Sequence, residues 1–161
     1  MMIEMYLYCT RSKPYLYLYK GKYFVSKRLM GTPLNGKVIG DCLCANVEKI
    51  EPKEDGTYSF SYGETGLTQP ELWRYGKGKP LYGFHITAKR PCVPALPMLF
   101  FCEYAPQSFR KVKFEGREVY LFSLEAKHIA MILNGLKTIE VRKRGIGAYC
   151  EQKLDWKGDK K

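Results

Sequence analysis

Period-two alternation of apolar side chains limits the fold of this sequence more than any other feature. Residues 5–10 (MYLYCT) and 15–19 (YLYLY) alternate and are rich in aromatic residues, and residues 37–50 follow an Asn-Gly turn signal. Alternation places successive side chains on opposite faces of a strand. The pattern therefore predicts a sheet of short strands. We expect the first two to pair through the turn at 11–14, and Gly40 to mark a bulge.

Strand patterns return in the second half of the chain. They cover residues 82–90, 98–104 and 118–124. Three prolines within residues 90–97 each remove a backbone donor, so this segment belongs at a sheet edge or on the surface. The polar residues 51–66 are interpreted as a hairpin or a peripheral excursion from the sheet.

Two short helices are predicted between and after these strands. For the first, Thr68 and Glu71 have the spacing of a capping box and Gly76 supplies a stop signal. For the second, Ser123 is a candidate N-cap and Gly135 a C-cap glycine. Its apolar stripe consists of Ile129, Ile132 and Leu133. Many short strands with two helices predict an α+β domain, similar to a β-barrel, whose sheet is closed or half closed, with the helices at its flanks.

Net charge is the first indication of a partner. The 161 residues carry 27 Lys and Arg against 16 Asp and Glu, a formal charge of +11, which favours a polyanion such as RNA. The six cysteines form no C-x-x-C pair, so neither a metal site nor a cofactor is expected. The most apolar run, 91–101, is short and broken by prolines, and the first residues lack the features of a signal peptide. These observations favour a cytoplasmic protein without a membrane segment.

The segment LFSLEAKHIAMILNGLKTIEVRKR, residues 121–144, carries a recognisable motif. It resembles the helix and signature of the ASCH domain, approximately Gly-x-Lys-Thr-x-Glu-x-Arg, here Gly135, Lys137, Thr138, Glu140 and Arg142. Residues 38–50, 67–86 and 6–10 are also similar to stretches of phage-like and gut-bacterial members. The resemblance implies a PUA-like pseudo-barrel of mixed sheet with flanking helices.

The order of these blocks differs from that of the family. In ASCH domains the motif helix lies near the N-terminus and a YIYCT-like strand follows it, whereas here the motif comes at 135–142 and YLYCT at 6–10. The chain therefore looks like a circular permutation of the family order, with one domain at 1–150 and a charged tail at 151–161. Either the permuted fold closes within one chain, or two chains exchange segments and form a homodimer.

The motif strand itself has two chemically different faces. Alternation places Ile139 and Val141 on the buried side and puts Glu140 and Arg142 together on the exposed or cleft side. Those two are close enough for an ion pair that would position the guanidinium for a phosphate or a base edge. A simple surface salt bridge is the alternative interpretation.

The family resemblance implies an RNA-binding or nucleotide-binding cleft lined by the motif. The candidate ligand contacts are cations, an aromatic ring and one histidine. They are Arg142, Lys143, Arg144, Lys13, Tyr8 and His85. Aromatic residues in alternating strands also pack against one another within sheets, and a run of charges also occurs on solvated faces.

Hydrolysis of an acylated nucleoside is the second hypothesis, because some small ASCH members hydrolyse an acetylated cytidine. Lys137 would supply positive charge or act as a base, Glu140 would activate water, and Thr138 or His85 would assist. As the resemblance suggests, the amidohydrolase members carry Thr where this chain has Glu140. A protein-interaction domain without catalysis is the third hypothesis.

Overall fold

The computed structural model describes residues 2–146 and contains eight strands, two α-helices and a short 3-10 helix at Met98–Phe100. The strands are β1 Ile3–Cys9, β2 Tyr15–Tyr19, β3 Lys22–Ser26, β4 Lys37–Ile50, β5 Leu81–Pro97, β6 Phe109–Phe114, β7 Arg117–Leu124 and β8 Ile139–Arg142. The helices are α1 Gln69–Gly76 and α2 Ala126–Leu133. The proposed tail at 151–161 and Cys150 lie outside the described residues.

Six of the strands form one curled sheet in the order β6-β7-β1-β4-β5-β8. Strands β1 and β7 are parallel, and the other neighbours are antiparallel. The curl brings β8, at one edge, to the far side of the sheet, where Arg142 bonds to Ser108 and to the carbonyl of Ser123 in β7. The expectation of an α+β fold with a half-closed mixed sheet and two helices is therefore confirmed. Strand β1 and the motif strand β8 belong to the same sheet of one chain.

The predicted pairing of the first two strands is wrong. Both edges of β1 are occupied, by β4 and β7, while β2 pairs with β3 in a separate two-stranded sheet. The turn between β1 and β2 instead wraps around Asn35. Its amide donates to the carbonyls of Thr10, Ser12 and Pro14, and its oxygen accepts from the Leu16 amide. A side chain distant in sequence thus directs β2 away from β1.

Of the other local predictions, the bulge, the capping box and the proline-rich edge are confirmed, and one predicted strand is wrong. The register of β4 shifts between Val38 and Gly40, as expected for a bulge, and the capping box of Thr68 and Glu71 begins α1. The proline-rich end of β5 pairs with β4 on one side, whereas β8 pairs with β5 only as far as His85. The other side of this proline-rich end is therefore an edge of the sheet, as predicted. Residues 98–104 are not a strand, and residues 109–114, where no strand was predicted, form β6.

Helix α2 covers the core inside the curled sheet. Ile129 and Ile132 are fully buried among residues of β1, β4, β5 and β7. The predicted N-cap is wrong, because Ser123 lies within β7 and Glu125 occupies the N-cap position. At the other end, the Asn134 side chain pairs in both directions with the backbone of Tyr23 in β3. This contact fixes the small sheet on the helix.

Two further features concern the class of protein. Within residues 2–146 no helix has the length and apolar character needed to cross a membrane. The cysteines of this range, Cys9, Cys42, Cys44, Cys92 and Cys102, are free thiols. Burial raises the pKa of Cys9 to about 12 and that of Cys92 to about 11, so neither is an activated nucleophile.

Candidate functional site: a charged cleft beside the motif strand

A cleft of about 630 Å³ opens between the motif strand, the start of α2 and the end of α1, and we call it the charged cleft. Its volume is within the range of small-molecule sites. Three side chains of the motif line it: Lys137, Glu140 and Arg142. Its other lining residues are Leu67, Glu71, Tyr75, Gln107, Ser108, Ser123, Leu124, Glu125, His128, Val141, Lys143 and Arg144.

The helix end directs Lys137 into the cleft. Gly135 adopts φ +83, and the amides of Gly135 and Leu136 donate to the carbonyls of Ile132 and Met131. This is a Schellman turn, which requires a residue that tolerates positive φ. The predicted role of Gly135 is confirmed, and the chain leaves α2 at once toward β8.

The segment 61–66 covers the start of β8 and is not peripheral. The Glu64 carbonyl accepts hydrogen bonds from the amides of Thr138 and Ile139, and the Glu64 amide donates to the Thr138 hydroxyl. A side chain at Gly66, where φ is +72, would overlap Met131. The close approach of this loop removes the motif from solvent. The Thr138 hydroxyl is engaged by this loop, because it accepts from the Glu64 amide, and Thr138 does not line the charged cleft.

Lys137 and Glu140 form a buried pair inside the cleft. Only 2% of the Lys137 side chain and 8% of the Glu140 side chain are exposed, and Lys137 Nζ lies 3.5 Å from Glu140 Oε1. Lys137 Nζ also donates to the carbonyl of Thr65 at 2.5 Å. The ammonium group is therefore held in place by one carboxylate and one carbonyl in a water-poor environment.

Arg142 completes the cluster from the other side of the carboxylate. Its Nε donates to Glu140 Oε2 at 2.8 Å, and its terminal nitrogens donate to Ser108 Oγ and to the Ser123 carbonyl at 3.0 Å each. Its guanidinium carbon lies 5.1 Å from the centre of the Phe122 ring. The predicted ion pair of Glu140 and Arg142 is thus present, but it is buried. Arg142 also joins β8 to the opposite edge of the curled sheet.

Two buried polar atoms of the cleft have no hydrogen-bond partner within the described residues. They are Glu140 Oε1 and His128 Nδ1. Buried polar atoms are almost always paired, because desolvation without a partner is costly. Both residues line the charged cleft, so a small side-chain rearrangement on ligand entry would let each atom gain a partner.

The surroundings shift the pKa values of the cleft residues. Burial lowers the pKa of Lys137, with Glu140 opposing the effect. For Glu140 burial acts to raise the pKa, but Arg142, Lys137 and His128 outweigh it, so the pKa lies below its usual value. The pKa of His128 is lowered by burial and by Lys137, which leaves a neutral imidazole at neutral pH. The cleft therefore combines a carboxylate, cations and a neutral histidine.

The sign of the Glu140 shift makes a prediction about acid stability. A carboxyl whose folded pKa lies below 4.5 stabilises the fold fully above pH 4.5 and loses this contribution as pH falls through the folded pKa. We expect Glu140→Gln to be less stable than wild type at neutral pH, and the difference to shrink as pH falls below 4.5. Urea unfolding across this pH range measures both chains. A difference that stays constant throughout would contradict the assignment.

The rim of the cleft is aromatic and basic. Lys143 Nζ lies 4.8 Å from the centre of the Tyr75 ring. Arg144 donates to the Phe109 carbonyl at 2.6 Å, and its guanidinium carbon lies 4.0 Å from the centre of the Phe109 ring. Both predicted contact residues, Lys143 and Arg144, therefore line the entrance.

Three residues predicted as ligand contacts lie elsewhere. Tyr8 is 4% exposed and packs in an apolar cluster beside β1, because alternation places it on a covered face of the sheet. Lys13 is exposed at the foot of β2, with its Nζ 6.0 Å from the centre of the Tyr15 ring. His85 is buried at the junction of β4, β5 and β8. None of the three lines the charged cleft.

His85 has a local structural role. Its Nε2 lies 2.8 Å from Glu48 Oε1, and the Tyr62 ring stacks on the imidazole at 4.0 Å between centres. The other oxygen of Glu48 accepts from the amide and the hydroxyl of Ser61. These contacts attach the 61–66 segment to the sheet and so help to cover the motif.

His128 is the site residue that the sequence interpretation missed. Its position three residues after Glu125 and four before Ile132 is the available signal, because residues at these spacings share a helix face. The helix turns that face toward the motif strand. His128 therefore lies at the edge of the buried apolar stripe of α2, and not on the opposite, solvent-facing side of the helix.

Within residues 2–146, no group of three or more His, Cys, Asp or Glu side chains is arranged to hold a metal ion. Comparisons with protein-family models, curated proteins and solved structures found no match to this chain. The chemistry of the charged cleft must therefore be argued from its own residues.

Proposed function

We propose that the charged cleft binds a nucleoside or nucleotide-like ligand, as an ASCH-type domain of PUA-like fold would. The observation that carries the proposal is the pair of unsatisfied buried atoms, Glu140 Oε1 and His128 Nδ1, beside a single cavity. A carboxylate oxygen accepts hydrogen bonds only, and the exocyclic amine of a nucleobase is a suitable donor. The ligand would supply the hydrogen bond that each of these atoms lacks, since Lys137 Nζ reaches Glu140 Oε1 only as an ion-pair partner at 3.5 Å.

The dimensions and lining of the cleft support a compact ligand. A volume of about 630 Å³ suits a small molecule, and Leu67, Leu124 and Val141 supply apolar walls for a flat ring. Tyr75 and Lys143 at the rim supply a ring and a cation where a ribose or phosphate would emerge. This arrangement of apolar walls with a few polar groups is typical of sites that orient one ligand.

The motif resemblance supports the same proposal. The ASCH-like residues Lys137, Glu140 and Arg142 meet in the cleft, at distances that allow a connected charge network. The half-closed mixed sheet with two helices is compatible with a PUA-like pseudo-barrel. The geometry favours a nucleoside-sized ligand, free or as one unit of an RNA strand.

Equilibrium binding of a nucleoside panel tests the proposal. Calorimetry would compare cytidine, adenosine, guanosine and uridine with ribose 5-phosphate. We expect at least one amine-bearing base to bind, and ribose 5-phosphate to bind at least about tenfold more weakly. Because the polar contacts are buried, the affinity should change little with salt. No binding by any nucleoside at millimolar concentration would contradict the proposal.

Hydrolysis of an N-acylated nucleoside is a second candidate, favoured by the desolvated Lys137 beside Glu140. The carboxylate would accept a proton from water, and the resulting hydroxide would attack the acyl carbonyl. Arg142 or protonated Lys137 would stabilise the oxyanion. The C–N bond would then break, the base amine would take up the proton, and a carboxylic acid would leave.

Chromatography of N-acylated nucleosides incubated with the full chain tests this candidate. Turnover should yield the nucleoside and the free acid in equal amounts. Glu140→Asp keeps the charge but shortens the side chain, so it should slow turnover more than it weakens binding. Binding of the acylated nucleosides without any product would leave the cleft as a binding site and contradict hydrolysis.

A further inference from the structure

One stretch of the chain outside the charged cleft carries positive charge without any acid. Residues 5–40 contain seven Lys and Arg and no Asp or Glu. The cations are Arg11, Lys13, Lys20, Lys22, Lys27, Arg28 and Lys37, and all seven are exposed. They lie on and around the separate sheet of β2 and β3. We call residues 11–37 the basic ribbon.

One face of the basic ribbon is anchored and the other is open. Leu16 and Tyr23 are buried in the main core, and Asn134 holds the Tyr23 backbone. Alternation therefore turns the opposite face of both strands outward. That face carries Tyr15, Tyr17 and Tyr19 of β2, opposite Ser26, Phe24 and Lys22 of β3.

The outward face combines flat rings with cations. The rings of Tyr17 and Phe24 stack at 5.6 Å between centres, and Tyr19 is 57% exposed. Lys20 Nζ lies 5.3 Å from the centre of the Tyr19 ring. None of the seven cations forms an ion pair with an acid within residues 2–146. No acid of the described residues therefore neutralises their charge.

We infer that the basic ribbon is a second binding surface, for single-stranded nucleic acid, distinct from the charged cleft and independent of its ligand. Lysines along the ribbon would contact phosphates, and Tyr17, Tyr19 and Phe24 would stack with unpaired bases. A positive surface with aromatic rings is the usual means of binding single strands without sequence preference. A duplex would offer the phosphates but not the base faces.

The aromatic composition favours a nucleic acid over an anionic membrane. The rings of Tyr17 and Phe24 stack on each other across the two strands, whereas membrane surfaces favour an amphipathic element with a continuous apolar side. The exposed Leu29 and Met30 lie in the loop after β3, beyond the two stacked rings. An anionic vesicle is therefore the competing partner that the experiment must include.

Fluorescence anisotropy with the full chain and a labelled oligouridylate of about 16 nucleotides tests the inference. The ribbon variant carries Lys20→Gln, Lys22→Gln and Lys27→Gln. The matched control carries Lys53→Gln, Lys79→Gln and Lys113→Gln, which removes the same charge from exposed positions elsewhere. Circular dichroism would verify that both variants are folded.

We expect the ribbon variant to bind the oligouridylate at least about tenfold more weakly. The slope of log K against log salt should become shallower by about 2, because each of the three removed lysines contributes about 0.7 to that slope. The control should keep the wild-type salt slope. In a separate variant, Phe24→Leu should weaken binding by about fivefold or more at an unchanged salt slope, through lost stacking.

Several outcomes would overturn the inference. Equal losses in the ribbon and control variants would show an effect of net charge alone. Tighter binding to phosphatidylserine vesicles than to the oligonucleotide, at the same salt concentration, would assign the surface to a membrane. Tighter binding to duplex than to single strands, or no binding to the oligouridylate at all, would also contradict it.

Discussion

Arg142→Met is expected to lower the free energy of unfolding by about 3–5 kcal/mol, the cost of removing one partner from a buried ion pair. The guanidinium donates to Glu140, to Ser108 and to the Ser123 carbonyl, and its side chain is 8% exposed. Removal takes away all three bonds and leaves Glu140 with Lys137 as its remaining cation. Because two of the bonds join β8 to the far side of the sheet, the loss also weakens closure of the curl.

Urea unfolding monitored by circular dichroism measures this effect. Arg74→Met is the matched control, since Arg74 is an exposed arginine in the last turn of α1. It should change the free energy of unfolding by less than about 0.5 kcal/mol. If both substitutions shifted the unfolding midpoint equally, Arg142 would not hold the edges of the sheet together.

Lys137→Met is expected to weaken ligand binding while the protein stays folded. Methionine has nearly the length of lysine, and Glu140 keeps its hydrogen bond to Arg142. Removing one partner of a buried ion pair is destabilising, but Glu140 keeps its hydrogen-bonded cation Arg142, so we expect a loss of about 1–2 kcal/mol, smaller than for Arg142→Met. The nucleoside ligand, however, would meet an apolar thioether in place of an ammonium group, and its affinity should fall at least about tenfold.

Calorimetry with the best-binding nucleoside measures the affinity of Lys137→Met, and urea unfolding measures its stability. Lys127→Met removes an exposed lysine from α2 and serves as the control, with wild-type affinity and stability expected. Unchanged affinity in Lys137→Met would remove this lysine from the binding site. A large loss of stability with proportionate loss of affinity would instead make its role structural.

The sequence patterns were most informative where local chemistry determines structure. Residues 15–19 and 37–50 form strands with the predicted bounds, and the capping box of Thr68 and Glu71 begins a helix. Period-two alternation and capping depend on neighbouring residues only. They can therefore be read without knowledge of the tertiary fold.

Pairing and burial were harder to predict because they depend on distant residues. The course of the chain after β1 is set by Asn35, and nothing within 11–14 indicates this partner. Likewise, alternation placed Glu140 and Arg142 opposite the buried Ile139 and Val141. All four are buried, because the loop 61–66, α2 and the curled sheet edge cover both faces of β8.

The location of the charges, unlike their number, could not be predicted from composition. A net charge of +11 suggested a polyanion partner, and the motif suggested where it would bind. In the structure, the motif cations Lys137 and Arg142 are neutralised in part by Glu140, whereas the seven cations of the basic ribbon are exposed and form no ion pair with an acid of residues 2–146. Composition gives the amount of charge, and only the fold shows which of it faces solvent.

A chemical-shift map of the isotopically labelled chain would show whether Lys137, Glu140 and Arg142 face a shared cavity that receives a nucleoside. Backbone amide spectra would be recorded with each nucleoside of the panel. We predict that at least one shifts amides of residues 137–144 and of Ser123 to His128, and leaves those of the basic ribbon unchanged. Shifts confined to other surfaces, or none with any nucleoside, would contradict the claim.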